Sequence, residues 1–241
     1  METKSPVILG LIVGLSLIAS AAVGGYSFYK VRSLDNTLGV TGSTTKSVKS
    51  DLVKWQSSFS RTITLDSLKS GYTQMKHDQD LVIKFFKDNG IAETDINISA
   101  VSMNQNYNYN QNSNLPVQYV LLQNVQVQSA DIDKITALSK NIQSLIDSGV
   151  IFSTQSVDYY YTKLPDLRIE LLGDAMKDAR TRASQIAESA GQHVGALKSA
   201  ASGVVQVMQP NSTDVSDYGS YDTQTIDKQV MVTVKATFVL N

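Results

Sequence analysis

Cysteine is absent from this chain of 241 residues, and histidine is scarce, with only His77 and His193. The absence of cysteine excludes disulfides, thiolate metal sites and cysteine nucleophiles. Two histidines alone nearly exclude a multi-histidine metal cage. The formal net charge is −1, so the basic excess needed to follow phosphates is missing. Nucleic acid is therefore not expected as a partner.

Familiar catalytic motifs are missing as well. The chain has no Gly-x-Ser-x-Gly elbow and no glycine-rich phosphate loop. His77 and Asp80 have the i, i+3 spacing of helix ligands, with Asp78 between them, but a third ligand is lacking. We interpret this cluster as a solvated helix face. The sequence thus predicts no catalytic, cofactor-binding or metal-binding residue, and no cofactor.

Two further groups of charged residues have simple surface interpretations. One group surrounds a polar loop and consists of Asp214, Asp217, Asp222 and Asp227. Such residues can bind calcium, but the EF-hand spacing is missing, so a solvated loop is the simpler interpretation. The other group lies on a predicted long helix and consists of Asp174, Asp178, Arg180 and Arg182. Surface ion pairs explain it without catalysis.

The N-terminal run from Pro6 to Tyr29 carries no charge and is about long enough to cross a bilayer, which takes roughly 20 residues. It could be a secretory signal cleaved after the small residues Ala19-Ser20-Ala21. We favour an uncleaved anchor, because the run continues past Ala21 and ends in aromatic and basic residues. Gly10 and Gly14 form a small-xxx-small pair that would let two such helices approach closely.

The chain divides into three parts on composition. Residues 1–30 are the anchor or signal segment. Residues 31–50 are polar and read as a juxtamembrane linker with a possible short strand at Leu38–Thr41. Residues 51–241 show the periodicities of a folded domain.

Alternating apolar and polar residues predict strands in this domain, and apolar residues three or four apart predict helices. The predicted strands are Val53–Leu65, Ile96–Met103, Val117–Gln128, Val150–Thr162, Leu197–Met208 and Ile226–Leu240. The predicted helices run from Leu68 to a stop at Gly90, from Ile135 to Leu145 before Gly149, and from Pro165 to Gly191. This order predicts an α+β fold: an antiparallel or mixed sheet with helices packed on it. Its core is a split βαβ arrangement, followed by the long helix and two further strands.

Small residues on the long helix suggest close packing. Its predicted apolar face comprises Leu172, Met176, Ala179, Ala183, Ile186 and Ala190, with Ala175 on the same side. We take Ala175, Ala179 and Ala183 as a candidate oligomer or packing face. Packing against their own sheet is the alternative.

Four tyrosines lie in two polar loops and could contact a partner: Tyr107, Tyr109, Tyr218 and Tyr221. Tyrosine offers contact area at low entropic cost. The low-complexity composition of these loops also suits simple disorder, which is the interpretation that we favour.

Several short motifs occur in a characteristic order along the chain. They are Gly39-Val40-Thr41-Gly42-Ser43, Ser50-Asp51-Leu52-Val53-Lys54-Trp55, Gly90-Ile91-Ala92-Glu93-Thr94-Asp95-Ile96, Asp174-Ala175, Asp178-Ala179-Arg180, Arg182-Ala183, Ile186-Ala187, Ala190-Gly191 and Gly195. With them the chain, from about Thr37 to Leu240, resembles the SIMPL-domain family of bacterial and archaeal envelope proteins. The resemblance implies an exported, often membrane-tethered domain with ring-forming relatives. It implies no catalytic residues.

These observations together predict a non-enzymatic module in the cell envelope. We expect a single-pass protein of the cell membrane with its domain on the extracytoplasmic side, in the periplasm or at the cell surface. Lys30 and Arg32 would favour the opposite orientation, so export rests on the resemblance. We also expect a homo-oligomer and an envelope protein partner. The alternatives are a domain that binds a small ligand or metal, and an uncharacterised hydrolase with a carboxylate site.

Overall fold

The structure is a computed structural model that describes residues 5–33, 36–106 and 116–241. Its α-helices are α1 (Ser5–Ser33), α2 (Leu68–Asp88), α3 (Ile132–Ser139), α4 (Gln143–Asp147) and α5 (Leu164–Ser189). Its strands are β1 (Thr37–Lys49), β2 (Leu52–Thr64), β3 (Ile96–Ile98), β4 (Ser102–Asn106), β5 (Gln118–Ser129), β6 (Ile151–Tyr160), β7 (Val194–Ser202), β8 (Gln206–Met208), β9 (Ser220–Tyr221) and β10 (Asp227–Leu240).

The fold is α+β, as predicted, with two sheets, helices packed on them and an apolar N-terminal helix. The residues form two compact units. The first unit consists of Met1–Thr45, Leu167–Val205 and Met231–Asn241, and the second unit consists of Lys46–Asp166 and Gln206–Val230. The predicted domain from 51 to 241 contributes to both.

The sheet of the second unit has the strand order β3-β5-β2-β6, with β4 also paired to β5. Each pair of neighbours is antiparallel. With α2 after β2 and α3 and α4 after β5, this is the order of a split βαβ sandwich, as the periodicities predicted.

The core of the second unit lies between one face of this sheet and its helices. Trp55 and Phe59 of β2 are fully buried, as are Val82 and Phe86 of α2. The Trp55 ring meets that of Phe86 edge to face, with centroids 5.3 Å apart, which is a favourable aromatic geometry. Leu121 and Val125 are buried as predicted.

Several predicted elements differ from the observed ones. Ile142 was predicted to be buried but is only partly buried, packed against the edge of the core. The strand Ile96–Met103 is interrupted between β3 and β4, because Ser99 leaves the strand pairing and its hydroxyl accepts the Asn124 amide proton. The second predicted helix is divided into α3 and α4, because the chain tightens into a turn where Asn141 N donates to Leu138 O.

In the first unit, β10 pairs with β1 and with β7. Val40 of β1 and Ala236 and Phe238 of β10 form a small core with alanines of α5. Strand β1 extends from Thr37 to Lys49, so a strand occupies most of the segment that was predicted to be a linker with a strand at Leu38–Thr41.

Replacement of Trp55 by alanine should destabilise the protein by about 3–5 kcal/mol, because it leaves a large cavity in a core with little room to relax. Tyr218→Ala is the matched control, since Tyr218 is 97% exposed, and it should change stability by no more than about 0.5 kcal/mol. Chemical denaturation followed by circular dichroism measures both. Equal effects of the two changes would contradict the burial described for Trp55.

Candidate functional site

Helix α1 is long and apolar enough, from Ile8 to Arg32, to cross a membrane, and none of that span is buried against the rest of the protein. A cleaved signal sequence would satisfy the same criterion, so both interpretations stay open. A side chain added at Gly10 or Gly14 would meet no atom within 4 Å. The glycine pair therefore has no packing role against the part of the chain that the structure describes.

The alanine face of α5 packs inside the first unit. Ala175, Ala179 and Ala183 are fully buried, and the buried stripe repeats every four residues, comprising Leu167, Leu171, Ala175, Ala179, Ala183 and Ala187. The predicted face was placed partly wrongly, because Ile186 is 49% exposed and Ala190 is exposed as well. The alanines thus make contacts within one copy of the chain.

The reason for the small residues is a close backbone approach at Gly42 of β1. A Cβ atom at Gly42 would lie 2.7 Å from the Ala179 Cβ and would also collide with backbone atoms of Ala175 and Ala179. Real Cβ atoms do not approach so closely. Glycine on the strand and alanine on the helix are therefore required together.

Asp178 joins the same helix to the same strand. Its Oδ2 atom accepts the Ser43 backbone N–H at 2.8 Å and the Arg182 Nε–H at 2.7 Å. The backbone hydrogen bond from Ser43, followed by the bond from Arg182, lowers the pKa of Asp178. Asp178 is therefore more than the surface ion pair that the sequence predicted, because it also binds backbone of β1.

A buried lysine organises the loop before β10 in the second unit. The side chain of Lys228 is 0% exposed, and its Nζ atom donates to Asp222 O at 2.6 Å, to Thr225 O at 2.7 Å and to Asp222 Oδ2 at 3.3 Å. Asp222 Oδ1 accepts the Gln224 N–H at 3.1 Å. The ammonium group of Lys228 is thus bound by the carboxylate of Asp222 and by backbone carbonyls of this acidic loop.

The ionisation of this pair follows from burial. Burial lowers the pKa of Lys228, and the charge and hydrogen bond of Asp222 oppose this effect only in part. Burial alone would raise the pKa of Asp222, but hydrogen bonds from Thr225 and Gln224 and the charge of Lys228 lower it. A lysine with a low pKa can be a nucleophile, but this one has three acceptors and no exposed surface, so we assign it a structural role.

The four candidate tyrosines have different surroundings. Tyr107 and Tyr109 lie outside the described residues. Tyr218 is 97% exposed, as a partner contact requires. Tyr221 is partly engaged, because its hydroxyl accepts the Tyr161 N–H at 2.9 Å and its ring lies 5.9 Å from Lys228 Nζ.

A second buried ion pair involves Asp78, which the sequence analysis placed wrongly on a solvated face. Asp78 is fully buried and binds Arg61 of β2 through two hydrogen bonds, of 2.6 and 2.8 Å. Asp80 pairs with Lys76 on the surface instead, at 3.7 Å. Within the described ranges, no three His, Asp or Glu side chains come close enough together to hold a metal ion.

Strand β7 is the strand of the first unit with the most exposed residues. Its residues from Ala196 to Ser202 are exposed, and among the described strands it pairs with β10 alone. Strand β1 pairs with β10 on the opposite side. The two edges that this sheet has in the first unit, β1 and β7, are therefore candidate interaction surfaces.

Sequence comparison identifies the family of the chain. The SIMPL family, described as a protein of unknown function (DUF541), matches residues 38–238. No curated protein matches the chain.

Gly42→Ala should lower the free energy of unfolding by about 1–3 kcal/mol, because the added methyl group forces β1 away from α5. Gly39→Ala is the matched control on the same strand, where the nearest atom would be 3.9 Å away, at Thr237 Oγ1. Its stability should change by about 0.5 kcal/mol at most. Thermal unfolding of the two variants compares them directly, and a Gly42→Ala protein as stable as the control would contradict the close approach.

Proposed function

We propose that this chain, which belongs to the SIMPL family, is a non-enzymatic module anchored in the cell membrane by α1. Its domain lies on the extracytoplasmic side and associates with further copies through the edges of the β1–β10–β7 sheet. The observation that carries this proposal is the exposed, singly paired strand β7. An envelope protein partner would bind the same associated form.

An unpaired strand edge offers a row of backbone donors and acceptors to another chain. Strand addition satisfies these groups without requiring particular side chains. The first unit has two different edges, β1 and β7, on either side of β10. Pairing of the β7 edge of one copy with the β1 edge of the next is a head-to-tail contact, and such contacts close into rings when the rotation allows.

The pairing of β7 with β10 shows which backbone N–H groups of β7 point to the free edge. Gly203 N donates to Thr233 O, and Ala200 lies opposite Ala236 and Ala201 opposite Lys235. Bonded and non-bonded pairs alternate in an antiparallel ladder. The N–H of Ala201 is therefore directed to β10, whereas the N–H of Ala200 is directed to the free edge.

The charged clusters support a role without catalysis. Lys228 and Asp222 satisfy each other and the backbone of their own loop. Asp78 is closed off from solvent by Arg61. Catalytic acids and bases need access to a substrate proton, and neither buried pair offers it.

Ala200→Pro should weaken self-association while leaving the fold intact, because it removes only an outward N–H and proline is tolerated on edge strands. Ala201→Pro is the contrasting variant, since it removes a bond to β10 and should lower the melting temperature. Light scattering of the full chain in detergent, at tens of micromolar, measures association.

The edge proposal fails if the unmodified full chain is monomeric under these conditions. It also fails if Ala200→Pro associates as strongly as the unmodified chain.

The absence of cysteine permits a direct test of orientation. A single thiol introduced as Tyr218→Cys should react with a membrane-impermeant maleimide in intact cells, because that side chain is almost fully exposed. Ser5→Cys, before the span, should react only after the membrane is opened. The opposite labelling pattern would place the domain in the cytoplasm, and a mature mass lacking Ser5 would show that the segment is cleaved.

A further inference from the structure

The sheet of the second unit has one face that its helices do not cover. Because β2 alternates, Trp55 faces the core and Gln56 faces the opposite side. Gln56 lies opposite Gln126 of β5, and Gln126 lies opposite Asn97 of β3. These three residues form a row of carboxamides across three strands, with neighbouring strands about 4.8 Å apart.

A depression of about 360 Å³ follows this row, which is within the size range of small-ligand sites, about 300–1,000 Å³. We call it the amide groove, and its polar lining residues are Gln56, Ser57, Asn97, Ser99, Asn124, Gln126 and Gln155.

A β-bulge shapes one side of the groove. The β2–β6 pairing shifts between Gln56, opposite Ser156, and Ser57, opposite Thr154, so that Gln155 is the extra residue. Bulges redirect side chains and are frequent beside functional sites. The Gln155 Nε2 atom lies 3.5 Å from Asn124 Oδ1 of β5. Gln155 therefore extends across β2 toward the middle of the groove.

The opposite side of the groove is held in position from within the core. Ser99 N donates to Asn124 O, and Asn124 N donates to the Ser99 hydroxyl, both at 2.9 Å. Gln123, which is 4% exposed, donates from its Nε2 to Ser99 O at 2.9 Å. A site supported in this way is formed before any ligand arrives.

The lining is polar but carries no charge, since it contains five carboxamides, two serines and one valine. Asp158, an acidic group that contacts the lining, already accepts bonds from Ser156 Oγ at 2.6 Å and Gln56 Nε2 at 3.3 Å. Phosphate ligands are bound most strongly by cationic groups, and sites for hard metal ions combine carbonyl oxygens with negatively charged carboxylates. The chemistry of the groove favours neither.

A peptide strand is not the natural occupant either. Peptides add to sheets at unpaired edges, whereas β2 and β5 are interior strands whose backbones are paired on both sides. Only side chains are available for recognition here. Carboxamides donate and accept hydrogen bonds at once, which matches ligands that present adjacent hydroxyl groups.

We propose that the amide groove binds a neutral, hydroxyl-rich glycan chain. Each sugar hydroxyl is both donor and acceptor. The carboxamide row can therefore bind successive hydroxyls although neither the row nor the glycan carries a charge. This inference rests on the proposed extracytoplasmic placement only in that envelope glycans are found there. No aromatic residue lines the groove, and we expect weak binding, with a Kd of about 0.1–10 mM.

Saturation-transfer NMR on the full chain in nanodiscs tests the proposal, with short neutral oligosaccharides of glucose, mannose or N-acetylglucosamine as probes. At least one probe should receive saturation from the protein. The double variant Gln56→Met/Gln126→Met should lose at least about tenfold in affinity, because methionine keeps the length of glutamine but forms no comparable hydrogen bonds. Gln128→Met is the matched control on the same face of β5, outside the groove lining, and should bind like the unmodified chain.

Three results would overturn the inference. They are no binding of any neutral probe at 10 mM, which is about the weakest affinity considered, full binding by the double variant, or stronger binding of a sulfated oligosaccharide. Unchanged melting temperatures will show that the variants fold, as expected for side chains outside the core. The readout uses single chains in nanodiscs, so it is independent of the association and labelling experiments.

Discussion

Strand β2 is paired to β5 from Val53 to Thr64 and to β6 from Leu52 to Ser60, and this double pairing determines which side chains reach the core. A shift of the register by one residue would exchange Trp55 with Gln56, and would turn the apolar set to solvent. The bulge at Gln155 preserves the core, because Phe152 still faces inward opposite Phe59 beyond it. The register of β2 therefore determines both the packing of the core and the lining of the amide groove.

Regular periodicity made much of the fold predictable. The alternation in β2, β5 and β10 predicted their burial, and Gly90 and Gly149 ended helices as expected, with φ angles of +73° and +80°. Strand β1 was predicted too short because few of its residues are apolar. Its burial at Gly42 comes from contact with α5, which a local pattern cannot show.

The candidate sites were harder to predict, because they depend on groups that meet only in the fold. Lys228 occupies a buried position in the alternation of β10, where an apolar residue would be expected. It is stable there because the backbone carbonyls of Asp222 and Thr225 accept hydrogen bonds from its ammonium group. The burial of Asp78 on α2 is likewise possible because it pairs with Arg61 on β2. The amides of the groove look like ordinary solvent-facing residues in the sequence. They form a row only through the register in which β2, β5 and β3 pair.

The two proposed modes of recognition complement each other in strength. Strand edges bind through backbone groups, which favours association of identical chains, whereas the amide groove binds through side chains and without strong anchors. A single shallow groove would hold a glycan weakly, but copies that associated in one membrane would offer many grooves to one polymer. Each further contact is then intramolecular, and overall avidity can exceed the single-site affinity by about 10²–10⁴. The strength of attachment to a glycan layer would accordingly depend on the number of associated copies, while the choice of sugar would depend on the carboxamide row.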